Sequence, residues 1–281
     1  MSDSEVPDYL RLEDALEVFA SGAEKVQSQL HIKPLHQHFA IRLVIEGGFH
    51  PAEIVPHPPL RVDGKNRLSW DPSAADQREQ TVLGGLKTKN IDVVVSKEGV
   101  GPVIGVSVKG TTGAFRNLTN RMEEAVGDST NLHIMYPGLV YGFFHVIRAN
   151  RAGTDDLKMN DIAVDEAGEV VHSLRRYHDV LINLTGRTMV RDDPTRYEAV
   201  AMAMVDPDRQ GAGLSHFPPQ ESPLRVERFF EKLLSIYDLR FPYVAASVPS
   251  LRRREWSPKS PIFHLGDFEA IGGFSPRLAE P

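Results

Sequence analysis

Twenty residues, IDVVVSKEGVGPVIGVSVKG from Ile91 to Gly110, constrain this chain more than any other stretch. Valine and isoleucine recur at a density that suits extended backbone, and Gly99-Val100-Gly101 supplies a turn between two runs. The segment therefore reads as a hairpin of two antiparallel strands. Its polar residues collect at one end. Asp92 opens the first strand, and Ser107-Val108-Lys109 closes the second. Antiparallel pairing sets the start of one strand beside the end of the other. Ser107 and Lys109, two residues apart, share a face. An aspartate and a lysine together at the end of an apolar sheet cost free energy unless they are paired or used.

Around the hairpin the chain alternates helical and extended patterns. Residues 8–30 have helical spacing. LHQHFAIRLVIE (35–46) is apolar on nearly all sides, which predicts a buried helix stopped by Gly47-Gly48. Residues 73–85 are read as a further helix, and GTTG after Lys109 as a turn into a helix over 115–126. GLVYGFFHVIRA (138–149) and YEAVAMAMVD (197–206) read as buried strands. A helix is expected within 165–185, and another over 223–239, with proline at its start. The last forty residues, from Phe241, are irregular. This order predicts an α/β (α+β) class with a mixed central sheet flanked by helices. A single domain over 1–281 is expected, its core at about 35–206 and the two termini as embellishment.

Composition narrows the function. The chain lacks cysteine, which excludes disulfides and thiolate metal sites and fits a reducing cytoplasm. No apolar run is long enough for a transmembrane helix, and the acidic start does not have a signal-peptide pattern. The net charge of −6 argues against a general nucleic-acid coat protein. It leaves room for an enzyme whose positive charge is confined to one cleft. The eleven histidines form no tight ligand pattern, so no zinc site is expected. GxGxxG, GxxxxGK[ST] and GxSxG are all absent.

The helix after the hairpin adds a third polar group. Counted from Phe115 at about 100° per residue, Phe115, Leu118, Met122, Ala125 and Val126 form one face. Arg116, Asn120 and Glu123 line its edge, with Glu124 further toward solvent. Glu123 is thus expected beside Asp92 and Lys109. Glu46, at the end of the buried helix, is disfavoured there by the helix dipole. Either Arg42, four residues earlier, or a role at the site would compensate it.

Asp92, Ser107-x-Lys109 and a later Glu123 resemble the active site of the PD-(D/E)XK nuclease superfamily, in particular the type II restriction endonucleases. The usual pattern is Asp, then Glu/Asp-x-Lys on the next strand. Here Ser107 stands at the acidic position and Glu123, fourteen residues after Lys109, stands where a displaced glutamate would. This is similar to the variant in enzymes that cut CCGG-type and CCNGG-type sites. The resemblance covers roughly residues 35–150.

It implies Mg²⁺-dependent hydrolysis of double-stranded DNA, leaving 5′-phosphate and 3′-hydroxyl ends. Asp92, Glu123 and the Val108 carbonyl would hold the metal, and Lys109 would act on the attacking water and the phosphoryl oxygens. Ser107 would leave room for Glu123, and Glu46 could stand beside the site. Arg116, Asn117, Asn120 and Arg121 are candidate DNA contacts, since arginine suits guanine and asparagine suits adenine. A palindromic site would call for a two-fold homodimer in a bacterial cytoplasm, with no membrane partner. A repair or resolvase nuclease of the same core, or a non-catalytic DNA-binding module, are the alternatives. On the bland reading Asp92 caps a turn, Lys109 ends an exposed strand and Glu123 pairs with Arg121 or Arg116.

Overall fold

The computed structural model describes residues 11–21, 29–154, 156–209, 213–241, 251–265 and 273–280. The centre of the molecule is a five-stranded sheet in the order β1 (Ile54–Val55), β6 (Val93–Lys97), β7 (Gly101–Thr111), β8 (Val140–Arg148) and β9 (Ala199–Val205). β1, β6 and β7 are antiparallel, whereas β7, β8 and β9 run parallel. Two small hairpins lie outside it: β2 (Leu60–Val62) with β3 (Leu68–Trp70), and β4 (Gln80–Leu83) with β5 (Thr88–Ile91). The class is α+β, with a mixed central sheet flanked by helices, as the sequence predicts.

Alternation along the strands divides the core in two. Val106 and Val108 of β7, with Val140, Phe144 and Val146 of β8, face α1 (Leu12–Ser21), α2 (Lys33–Ile45) and α5 (Phe229–Arg240). Tyr141, Phe143 and Ile147 face the opposite way, into the layer of α3 (Leu118–Met135) and α4 (His172–Asn183). Both faces are covered, which is why β8 and β9 are continuous apolar runs.

α2 is buried along nearly its whole length. It opens with Pro34 in its first turn and ends at Gly47-Gly48, where Gly48 takes φ +70. The C-terminal segment then closes over it. Trp256 is fully buried and donates its indole N–H to the Val44 carbonyl at 2.7 Å. Thus 251–265, read as irregular embellishment, supplies a core residue.

Several boundaries differ from the sequence reading. Of the predicted helix 8–30, α1 covers Leu12–Ser21, and residues 22–28 lie outside the described ones. No helix forms over 73–85. Asp71 and Asp76 accept nearby backbone N–H groups and hold 71–78 in turns, and the double glycine 84–85 folds the rest into the β4–β5 hairpin. α3 begins after a 3₁₀ turn, Phe115–Asn117, and runs to Met135. A second such turn, Val226–Arg228, delays α5 to Phe229.

Because Trp256 pins α2, Trp256→Ala is expected to destabilise the protein by about 3–5 kcal/mol in urea unfolding. A loss below 1 kcal/mol, on the order of a surface change, would show that the C-terminal segment is not part of the core.

Candidate active site

Asp92 sits at the bend where the chain leaves β5 and enters β6. It is 7% exposed. Beyond the last ladder pair of the hairpin, Val93 with Val106, it lies across from Ser107. Its Oδ2 accepts the Val108 N–H at 2.7 Å, the Ser107 hydroxyl at 3.3 Å and the Lys109 ammonium at 3.4 Å. The aspartate and lysine foreseen at one end of the hairpin therefore meet. The Val108 carbonyl turns to the same side as its N–H, since a strand residue directs both backbone groups at one neighbour.

The β4–β5 ladder adds an acid that the sequence reading did not single out. Gln80 pairs with Ile91, so one step further sets Glu79 opposite Asp92. Two carboxylates directly opposite one another repel. α2 holds them there. Gln37 donates its side-chain N–H to the Asp76 carbonyl, and the Lys33 ammonium donates to the Gln77 carbonyl at 3.1 Å. Both anchors lie just ahead of Glu79.

His36, also on the first turns of α2, completes the cluster. One ligand atom each from His36, Glu79 and Asp92 fall within 4.8 Å of one another. His36 is buried, and its Nε2 has no hydrogen-bond partner. Burial pushes its pKa down to about 4; Asp92 opposes this and the charges of Lys109 and Lys33 reinforce it. The imidazole is therefore neutral near pH 7. A neutral imidazole with one buried nitrogen unpartnered, and a ring nitrogen within 4.8 Å of an oxygen of each of two carboxylates, suits a divalent cation. The residues present fit such an ion on this observation alone.

The other predicted residues are placed as follows. Glu123 is exposed and stands about 160° from buried Ala125 around α3, away from the sheet. The buried face of α3 runs through Leu118, Ala125, Ser129 and Leu132, while Met122 and Val126, which drew the expected face toward Glu123, are only half-buried. Glu124, its neighbour, pairs with Arg121 at 2.8 Å. Burial opposes ionisation of Glu124, but Arg121, Lys109 and Lys89 together hold its carboxyl below the ordinary value.

Glu46 is not brought to the cluster. It accepts from Arg42 at 2.9 Å and from the Ser275 N–H at 3.0 Å, so the structural ion pair is the reading the coordinates favour. Asn117 and Arg121 line a cavity beside the carboxyl end of β7, while Asn120 is exposed on α3. Arg116 lies in the 3₁₀ turn, and its side chain is outside the described residues. Arg187 is buried against Glu198 at 2.6 Å. Arg253 pairs with Asp238 and donates to the Gly47 carbonyl.

Beneath Lys109, on the adjacent strand, His145 is fully buried and in register with it. Its Nε2 meets the Thr111 hydroxyl at 2.8 Å and its Nδ1 the Tyr177 hydroxyl at 2.6 Å. Burial, with Arg121 and Lys109, pushes its pKa down to about 3, so the ring is neutral and fixes the Thr111 side chain.

The chain matches no protein-family model, no curated protein and no solved structure.

In the metal-free protein His36 contributes a pH dependence. The unfolded chain takes up this proton at the ordinary 6.5, the native one only at about 4. Between these values the unfolded state binds more protons, so stability rises with pH. The contribution is whole above 6.5 and is lost as pH falls to about 4. In urea unfolding from pH 7 down to pH 4, wild type is expected to lose up to about 3 kcal/mol more than His36→Asn. Parallel pH profiles for the two proteins would contradict the burial of a neutral imidazole.

Proposed function

We propose that the protein is a divalent-metal-dependent endonuclease that hydrolyses phosphodiester bonds in double-stranded DNA at a specific sequence. The carrying observation is the convergence of Asp92, Glu79 and a ring nitrogen of His36, with Lys109 at ion-pair distance from Asp92. The order strand, turn, strand, helix agrees with the PD-(D/E)XK resemblance. In this reading the second acid comes from Glu79, ahead of the β4–β5 hairpin, rather than from Glu123.

His36, Glu79 and Asp92 would hold the ion. When bound, it supplies an acidified water and offsets charge on the phosphoryl oxygens. The rest falls to the chain's own groups. The Val108 N–H and the Ser107 hydroxyl fix the Asp92 carboxylate in place. Lys109, 26% exposed and 3.4 Å from Asp92, would act on the attacking water and a phosphoryl oxygen. Water adds to phosphorus, the bond to the 3′-oxygen breaks, and that oxygen takes up a proton. The products are a 5′-phosphate and a 3′-hydroxyl.

Magnesium prefers an all-oxygen shell, whereas imidazole nitrogen favours later divalent ions. One histidine beside two carboxylates therefore suits Mn²⁺, Fe²⁺ or Co²⁺ better, with Mg²⁺ as the weaker activator. Asn117, Asn120 and Arg121, with Arg116, remain the proposed base and phosphate contacts at the start of α3. A palindromic site would pair two copies about a two-fold axis. One face of α5, with Phe229, Phe230, Leu233 and Tyr237, is buried in the core. A restriction role would place the protein in a bacterial cytoplasm. Among the described residues no helix is long and apolar enough to cross a membrane.

Digestion of unmethylated phage DNA tests the reading. Wild type should give discrete fragments, more of them with Mn²⁺ than with Mg²⁺ at equal concentration. Lys109→Ala should lower the rate at least about 100-fold. Glu79→Gln should lose activity and Glu123→Ala should keep it. Intact DNA from folded wild type would overturn the assignment in favour of a non-catalytic module. Activity lost in Glu123→Ala but kept in Glu79→Gln would restore the acid read from sequence.

A further inference from the structure

A cavity of about 440 Å³ opens where β7 and β8 end, on the residues that directly follow Lys109. Ligands in sheets with parallel strands collect beyond the strand carboxyl ends, and this cavity occupies that position. Its polar lining includes Thr111, Asn117, Arg121, Arg148, Asn150 and Asp161.

Arg148 sets this cavity apart. It is the last residue of β8 and is half-buried. Its Nε is buried with no hydrogen-bond partner. No acid lies within ion-pair distance of its guanidinium among the described residues. Other arginines that are buried or half-buried have an acid: Arg187 and Arg240 pair with Glu198, Arg151 with Asp206 and Arg253 with Asp238. A desolvated cation left without an anion is costly unless a ligand brings one.

The neighbouring groups are fixed. Asn150 donates to the carbonyls of Thr112 and Asp161 at 2.8 Å each, which holds the loop after β7 against the loop after β8. The Asp161 carboxylate is tied to the Ala114 N–H at 2.6 Å. Thr111 is held by His145. Arg121 adds a second guanidinium, shared with Glu124.

We infer that this cavity is a phosphate subsite for the DNA strand, adjoining the phosphate that is cleaved, with Arg148 as its principal cation. The inference rests on the nuclease reading for its substrate. Guanidinium is the group suited to a phosphate at such a place, because it presents paired donors to two oxygens.

The test uses the full chain without divalent ions, so that nothing is cleaved. Thymidine 3′,5′-bisphosphate is titrated by calorimetry, and a 20-mer duplex is bound at a series of salt concentrations. Arg148→Gln is expected to weaken the bisphosphate at least about tenfold. It should also reduce the slope of log affinity against log salt for the duplex by about one. Unchanged affinity and slope in a folded Arg148→Gln protein would overturn the inference. A second readout needs no variant. Saturating bisphosphate should protect Arg148 of wild type from phenylglyoxal, read by mass spectrometry, while Arg175 on α4 reacts as before. Equal modification of Arg148 with and without the bisphosphate would also overturn it. The two proposals fail separately. Protection of Arg148 in a protein that leaves DNA intact whichever divalent ion is supplied defeats the nuclease and leaves the phosphate subsite. Cleavage with Arg148 unprotected does the reverse.

Discussion

Two carboxylates face each other because a ladder puts them there. The pairing of Gln80 with Ile91 leaves Glu79 and Asp92 opposed at the next step, and nothing in local backbone preference favours that. Lys109 meets one of them, at 3.4 Å from Asp92. The buried imidazole of His36 approaches without a hydrogen bond of its own at Nε2. Acceptors that converge in this way are stable when a cation joins them. The remaining architecture serves to keep them from moving apart.

That support comes from opposite sides. α2 carries His36 and also grips the segment before Glu79 through Gln37 and Lys33. It is fixed in turn by the sheet, by α5 and by Trp256. β7 carries Ser107 and Lys109 as the middle strand of the sheet, paired with β6 as far as Val106 and with β8 from Ile104 to Thr111. The two ends of the parallel strands are also unlike. At the amino end, Glu198 is fully buried and is met by Arg187 and Arg240, so its charge is matched. At the carboxyl end Asp92 meets Lys109 at 3.4 Å, while neither Glu79 nor Arg148 has an ion-pair partner among the described residues. On the proposed reading, a metal and a phosphodiester would supply the missing charges.

The hairpin was legible in the sequence because it is local. Valine density, a glycine turn and polar residues at one end are all readable within twenty residues, and they led to Asp92, Ser107 and Lys109. The burial of α2 was legible from its apolar girth. Glu123 misled because Met122 and Val126 were counted into the apolar face, whereas the buried face runs through Leu118, Ala125, Ser129 and Leu132 on the far side of α3. Glu79 was hidden by a helix assigned over 73–85. Read instead as a hairpin around Gly84-Gly85, QTVLGGLKTKNI would have set Glu79 against Asp92. His36 had no sequence signal of its own. Its position depends on α2 packing across the sheet, a contact between distant parts of the chain. The place of Trp256 in the core was illegible for the same reason.

The central claim is that His36, Glu79 and Asp92 share one divalent ion. Anomalous diffraction from crystals soaked in Mn²⁺ tests it most directly. The account predicts a single strong peak within bonding distance of His36 Nε2 and of one oxygen from each carboxylate. That peak should be absent in His36→Asn crystals soaked alike. A peak bound by Asp92 and Glu123 instead, or no peak at this end of the sheet, would contradict it.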